Sequence, residues 1–267
     1  MSVFLMAISE LRKKLLAQAT PFQTIPPRPT TDPAIFPHWS LPNQGSATIR
    51  FLPDGNPDNS FFWVERVMIR LPFNGVRGQS ESKPLVVYVP CMEMWNETCP
   101  ILAEVRSWLK DPQLEEMGRK YWKKRSYLFH GFVRQSHLTE SEKPVNPIRR
   151  FIVSPQLFNP IRAGLLNPNI DELPTDYVNG LNFKIVKTHV NGFADYNKSD
   201  WIYRESALNE AEKQVLTSTV IPNIDRHLPK KPNEQEQKVI REMFEASIDG
   251  ETYNPEKWGE FYKPRSF

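Results

Sequence analysis

Cysteine is scarce in this chain: Cys91 and Cys99 are the only two among 267 residues. Two thiols exclude a disulfide scaffold, and a chain of this length does not need one, so a reducing cytosol is the default compartment. The pair also makes a poor structural zinc site. Such sites take four Cys or His ligands with at least one closely spaced pair, whereas seven residues separate Cys91 from Cys99. They read as reduced, packed thiols. Long apolar runs are missing, which excludes a membrane-spanning helix. The opening MSVFLMAISELRKK places its apolar run before its basic cluster, the reverse of a secretory signal. Catalytic signatures are missing as well. There is no GxxxxGK[ST] phosphate loop, no GxSxG elbow and no HExxH pair, and His38, His130, His137, His189 and His227 are scattered. Asp171, Glu172 and Asp176, and again Asp195 and Asp200, lie near one another in loop-like sequence, where acids are ordinary. The chain is therefore expected not to be an enzyme and to need no cofactor. The alternative enzyme reading is a nuclease, whose acids would have to converge in space around metal ions.

Net charge is small, +3, but unevenly placed. Residues 119–162 hold ten basic side chains and two acidic ones, so the remainder of the chain sums to −5. Segregation of this kind puts a positive field on one surface and suits a polyanion. Its densest part is RKYWKKRSYLFHGFVR (119–134). Arg119, Lys120, Lys123, Lys124, Arg125 and Arg134 are interleaved there with Tyr121, Trp122, Tyr127, Phe129 and Phe132, and no carboxylate intervenes. Positive charge tracks a phosphate backbone and flat rings stack on unpaired bases, the combination used for single-stranded nucleic acid. The competing reading is a buried strand with a solvated basic edge. Two further basic-aromatic groups follow: Arg149, Arg150 and Phe151, and then FKIVKTHVNGFADYNK (183–198) with Lys184, Lys187, Phe193, Tyr196 and Lys198.

Periodicity and punctuation give the organisation. A helix is expected over 3–18, with Phe4, Ile8, Leu11 and Leu15 on one face and Arg12, Lys13 and Lys14 beside it. Seven prolines in 20–45 make that segment an extended linker. Residues 1–19 thus read as a helical arm, 20–45 as a linker, 46–217 as the core domain and 218–267 as a helical extension. An arm of this kind either docks on another molecule or packs back on its own core. Strands are expected at 47–53, 61–71 (ended by Pro72), 85–91, 125–134, 147–153 and 181–190, with a loop over 193–201. Helices are expected from about 98 to 110, from 112 to about 121, and over 207–217. Another begins at Ser154 and Pro155 and is interrupted or kinked by Pro160. Asn233 with Glu236 three residues on is a capping-box pattern that starts the last helix. In 125–134, Tyr127 and Phe129 share one face and Leu128, His130 and Phe132 the other. About six short strands with irregular helical insertions argue for a mainly β, α+β fold rather than a doubly wound sheet. A five-stranded barrel of the oligonucleotide-binding (OB) type fits that pattern.

Several segments carry a family resemblance. They are ATIRFLP (47–53), the segment from Cys91 to Pro100 that ends in TCP, KKRSY (123–127) and LNFKIVKTHVNGFADYNKSDW (181–201). In this order and spacing the chain resembles the helix-destabilising single-stranded DNA-binding protein of T-even-like phages, over roughly residues 46–208. The resemblance implies an OB-fold core with a basic, aromatic-lined cleft, and cooperative coating of single-stranded DNA during phage replication, recombination and repair. It also implies residence in the cytoplasm of the infected bacterium. It carries a cleft role to Arg50, Lys123, Lys124, Tyr127, Phe193 and Tyr196, with Tyr127 on the DNA side and Leu128 and Phe132 in the core. Charge and position add Tyr121, Trp122, Arg125, Arg149, Arg150, Lys187 and Lys198 to the expected contacts.

Three departures from the family shape further expectations. The family binds zinc through one His and three Cys. Here Cys91 and Cys99 match the first two cysteines, the third falls at Leu102, and the strand 61–71 has no histidine. Zinc is expected to be absent, replaced by packing of Ile101, Leu102 and Trp108. The family's cooperativity motif precedes its arm helix, whereas Arg12, Lys13 and Lys14 lie inside this one, so self-association along the strand is expected through an altered arm. The family's acidic tail, which recruits replication proteins, has no counterpart: residues 217–267 carry nine acids and eight bases. The third functional reading, beside strand binding and a nuclease, is a phage adaptor or structural protein whose basic face meets an acidic partner.

Overall fold

Between residues 66 and 73 Val67, Ile69, Leu71 and Phe73 are buried while Arg66, Met68 and Pro72 are half-buried and Arg70 is exposed. Period-two alternation builds a strand with one face inward. The structure, a computed structural model, describes residues 32–140, 144–168 and 170–264. The expected arm helix over 3–18, its basic cluster and the linker up to residue 31 lie outside the described residues.

The described chain is α+β and dominated by an antiparallel sheet. Its strands are β1 (Ser46–Phe51), β2 (Trp63–Phe73), β3 (Leu85–Pro90), β4 (Lys124–Ser136), β5 (Arg149–Val153), β6 (Asn182–Val186), β7 (Thr188–Val190), β8 (Phe193–Asp195) and β9 (Asp200–Ile202). The helices are α1 (Pro100–Trp108), α2 (Glu115–Tyr121), α3 (Pro155–Leu165), α4 (Glu210–Ser218), α5 (Glu234–Ile248) and α6 (Pro255–Trp258). The main sheet runs β3-β2-β4-β1-β6-β9, with β5 also on β4, and β7 and β8 form a separate hairpin.

This sheet is open: β3 and β9 end it and are not paired with each other. The closed five-stranded barrel expected from the sequence is not formed. The register shows why. Phe129 of β4 faces both Trp63 of β2 and Phe151 of β5. Two residues on, Gly131 faces both Phe51 of β1 and Arg149 of β5. A strand has two edges, so β1 and β2 lie along the same edge of β4, one after the other, separated by the excursion 52–62. β2 gives its other edge to β3, and β1 gives its to β6. Strands therefore add outward rather than round. At the junction a Cβ on Gly131 would sit 2.5 Å from the Arg50 carbonyl oxygen, so only glycine lets β4 pass there.

Several boundaries differ from the sequence reading. β2 continues through Pro72, because beyond Met68 it no longer pairs with β4, and proline needs no partner on that side. Helix α3 runs on through Pro160 to Leu165. The stretch 181–190 divides into β6 and β7, and 193–201 is not one loop but contains β8 and the start of β9. The capping box at Asn233 is present: its side chain accepts from the Glu236 N–H at 2.9 Å, and the Glu236 carboxylate accepts from the Asn233 N–H at 2.8 Å.

One face of the sheet carries two apolar cores. The first joins Val67, Ile69, Leu71, Val87 and Val89 to α1, α2 and α5 through Leu102, Val105, Tyr121, Met243 and Phe244. Trp108 packs against this group, stacked on Phe244 at 5.8 Å between ring centroids. The second is aromatic. Phe51 lies at its centre, with ring centroids of Phe129, Phe151, Phe183 and Trp201 within 5.9 Å, and α3 covers it with Leu157, Phe158 and Ile161. On the opposite face Leu52, Phe132, Ile148 and Leu208 meet Val215 and Leu216 of α4 and Ile221, and the short turn Ile224–His227 lies against β2 and β4, where Leu128 and His130 are buried.

Candidate nucleic-acid interface

Alternation along β4 sends Arg125, Tyr127 and Phe129 to the side of the two cores and Lys124, Ser126, Leu128, His130 and Phe132 to the other. The structure corrects the expected orientation of Tyr127. Its ring lies flat on Phe158 of α3, at 3.6 Å between centroids and 12° between planes. Helix α3, which follows β5 in the chain, occupies the side on which the sequence placed DNA.

Most of the other expected contacts are also engaged inside the protein. Arg50 is fully buried. Its guanidinium donates to the carbonyls of Pro174 at 2.7 Å and Leu181 at 2.9 Å, and to that of Asp176, so it fastens the loop before β6. Burial pulls its pKa down to about 10. Tyr121 is buried and donates to the Ser247 carbonyl at 2.8 Å. Trp122 is half-buried against the first core. Lys123 pairs with Glu93, which also holds Arg106, and Arg125 pairs with Glu65 at 3.2 Å. Arg149 is buried, gripped by Glu140 at 2.7 and 3.0 Å and lying over the Phe36 ring. Arg150 meets Asp32 and His227. Lys187 donates to the Trp39 carbonyl at 2.6 Å. Tyr196 is buried beside His38, and that burial pushes its phenol up to about 12. Of the thirteen expected contacts, Lys124, Phe193 and Lys198 are exposed without an acidic partner among the described residues. Lys124 contacts the Arg119 carbonyl at 3.3 Å.

A different basic surface emerges from the register. Arg66, Met68 and Arg70 of β2 lie opposite Ser126, Lys124 and, on β3, Tyr88, and Ile152 and Arg150 of β5 continue the same face. Arg70 and Lys124 are exposed, Met68 and Tyr88 are half-buried, and Arg66 donates to the Ser126 hydroxyl at 3.2 Å. No residue that these strands direct to this face is acidic. The face thus joins Lys124 and Arg150, two of the expected contacts, to Arg66, Arg70 and Tyr88, which were not singled out. The signal for them was present: alternation in 63–73 places Arg66 and Arg70 together, opposite the buried Val67, Ile69 and Leu71.

Two exposed rings stand apart from this face. Phe61, 56% exposed, leans on Trp63 at 4.7 Å, and Trp63 in turn meets Phe158 at 5.4 Å. Phe193, 78% exposed, flanks the tight turn of the β7–β8 hairpin. Asn191 and Gly192 have positive φ angles of 52° and 81° there, the primed turn that an Asn-Gly pair favours.

The metal that the family resemblance implies does not fit these residues. Cys91 and Cys99 are buried in the first apolar core together with Val67, Ile101 and Leu102. Among the described residues no group of three or more His, Cys, Asp or Glu is placed to hold a metal ion. Nor is any helix among them long and apolar enough to cross a membrane. No protein-family model matches the chain, and no curated protein matches it at a significant level.

Proposed function

We propose that this chain binds single-stranded DNA without sequence preference, as a non-enzymatic coating protein. The observation that carries the reading is the half-open sheet face bearing Arg66, Arg70 and Lys124 beside Tyr88, with no carboxylate among its strand residues. Guanidinium and ammonium groups on such a face displace condensed counterions, and an accessible ring stacks on any base. Phe61 and Phe193 add exposed stacking surface away from it. A long strand serving both β1 and β2 is compatible with a partly open barrel of the OB type. In this reading the protein protects transient single strands in the cytoplasm of a phage-infected bacterium, during replication, recombination and repair. It associates with its own copies through the N-terminal arm and meets phage replication proteins by a route other than an acidic tail. Preferential binding to the unpaired form removes hairpins by mass action.

Intrinsic tryptophan fluorescence, titrated with oligo(dT), duplex DNA and an acidic polypeptide at two salt concentrations, tests the reading. Salt-sensitive preference for oligo(dT) is the expected outcome. Equal binding to duplex refutes it, preference for the polypeptide favours an adaptor, and metal-dependent loss of the oligonucleotide favours a nuclease.

A further inference from the structure

The segment between α4 and α5 crosses from one side of the sheet to the other: α4 packs beside Phe132 on the face opposite the two cores, and α5 belongs to the first core. Its first half is fastened to the sheet. The turn Ile224–His227 lies against β2 and β4, with Ile224 fully buried. The Ile224 N–H donates to Asp54 at 2.9 Å, Asn56 donates to Asp225 at 3.0 Å, and Arg150 donates to the His227 ring at 2.6 Å. The backbone passes so close to the loop before β2 that a Cβ on Gly55 would lie 2.1 Å from the Ile221 carbonyl oxygen. The second half is tethered by Lys231, which pairs with Glu97 in the loop between β3 and α1. Pro222, Pro229 and Pro232 restrict the backbone along the way. The segment is therefore a strap, tied down near both ends.

The two ties bracket the basic face. At the turn, Leu128 lies opposite Val64, and Arg66 is the next residue of β2 on that side. At the tether, Pro90 ends β3 opposite Met68, which in turn lies opposite Lys124. Val64 to Met68 is a rise of about 13 Å along the strand, within the reach of about 24 Å that the chain from Ile224 to Lys231 has when extended. Between its ties the strap carries Arg226 and Lys230, both exposed and without an acidic partner among the described residues. The carboxylates beside it, Asp225 and Asp54, are taken up by Asn56, Asn59 and the Ile224 N–H.

We propose that this strap is the second wall of the single-strand track, and that Arg226 and Lys230 on it contact phosphates of a strand lying along Arg66, Arg70 and Lys124. The inference rests on the strand-binding reading of that face. A flat face holds a flexible polyanion from one side only. A strap with cations of its own adds a flank and raises the local positive field where the strand must lie. Because the strap is fixed at both ends before any strand arrives, its cations lose little chain freedom on binding. The C-terminal extension, which the sequence reading leaves outside the binding domain, thereby becomes part of the binding surface.

The test follows binding of a short oligo(dT) to the full chain by tryptophan fluorescence over a range of salt concentrations. Arg226→Ala with Lys230→Ala should lower the slope of log affinity against log salt by about 1.4, the value for two single-strand phosphate contacts, with the denaturation midpoint unchanged. Arg226→Lys with Lys230→Arg should keep the parent slope. Lys110→Ala with Lys263→Ala removes the same charge from exposed positions beside the first core and should leave the slope unaltered. If the strap variant keeps the parent slope while Arg66→Ala, Arg70→Ala and Lys124→Ala combined lower it, the inference is overturned and the strand-binding reading stands. An equal fall in the Lys110 and Lys263 variant also overturns it, because net charge rather than position would then set the affinity. A parent chain that does not prefer oligo(dT) over duplex DNA removes the reading and the inference together.

Discussion

Phe129 and Lys124 lie five positions apart on one strand and meet opposite surroundings. Phe129 sits in an aromatic core roofed by α3, in contact with Phe51, Phe62, Trp63 and Phe158. Lys124 stands exposed on the opposite face, beyond the part that α4 and the turn Ile224–His227 cover over Phe132, His130 and Leu128. The chain thus divides its sheet into a side buried along its length and a side that is buried at one end and left available at the other. The difference explains why a run of alternating charge and aromatics is ambiguous: Tyr121, Tyr127 and Phe129 belong to the first side, Lys124 and Ser126 to the second.

That division can be broken most forcefully on the covered side. Phe51→Ala removes the ring at the centre of the aromatic core and should cost about 3–5 kcal/mol in chemical denaturation. A loss under about 1 kcal/mol would mean that the two faces do not differ as described. Arg50→Ala tests a residue that the family resemblance assigns to DNA and the structure assigns to the interior. Its loss leaves the Pro174, Asp176 and Leu181 carbonyls without their charged donor and should destabilise by about 2–4 kcal/mol. Short-oligonucleotide affinity of the folded fraction should be nearly unchanged. Lost affinity with intact stability would return Arg50 to the DNA contacts.

Acid probes both faces through two histidines that the fold keeps neutral. Burial lowers His38, at the edge of the aromatic core, to about 4, and burial with the nearby His227 lowers His130 on the other face to about 4. Both folded values lie below the unfolded value near 6.5, so the unfolded chain binds more protons between them. Stability is therefore full above about pH 6.5 and falls as the pH drops towards 4, by on the order of 3 kcal/mol per histidine. Replacing His130 with Gln should flatten that slope, as read from denaturation midpoints against pH.

The smallest change in stability is expected on the available side. Arg66→Ala, Arg70→Ala and Lys124→Ala combined should leave the folding free energy within about 1.5 kcal/mol. The slope of log affinity against log salt on oligo(dT) should fall by about 2, the value for three single-strand phosphate contacts. An unchanged slope would remove this face from the candidate interface. Phe193→Ala, at the hairpin turn, should cost about 1–3 kcal/mol of binding if the ring stacks on a base.

The sequence discloses what depends on neighbours along the chain. Alternation in 63–73 shows β2 and its inward residues, the Asn233–Glu236 pair shows the start of α5, and Asn191-Gly192 shows the turn before Phe193. It does not disclose what arrives from elsewhere. Lys123 meets Glu93, Arg125 meets Glu65 and Arg150 meets Asp32, so three expected cations are compensated by acids that lie far away in the sequence. Tyr127 is covered by a phenylalanine on a later helix. Local composition contains neither fact, and this is why the charge-rich window shows the strand but not which of its side chains are left open.

The shared edge of β4 also sets an order of events during synthesis. β2 and β3 are neighbours in sequence and can pair as soon as both have left the ribosome. β1 pairs only with β4 and β6, which emerge much later. A nascent chain ending before residue 124 therefore holds an unpaired strand with an apolar side, Ala47, Ile49 and Phe51, and no sheet to receive it. Non-local pairing of this kind slows folding, so refolding of the full chain should lag behind formation of the β2–β3 hairpin, and truncations before β4 should be captured by chaperones.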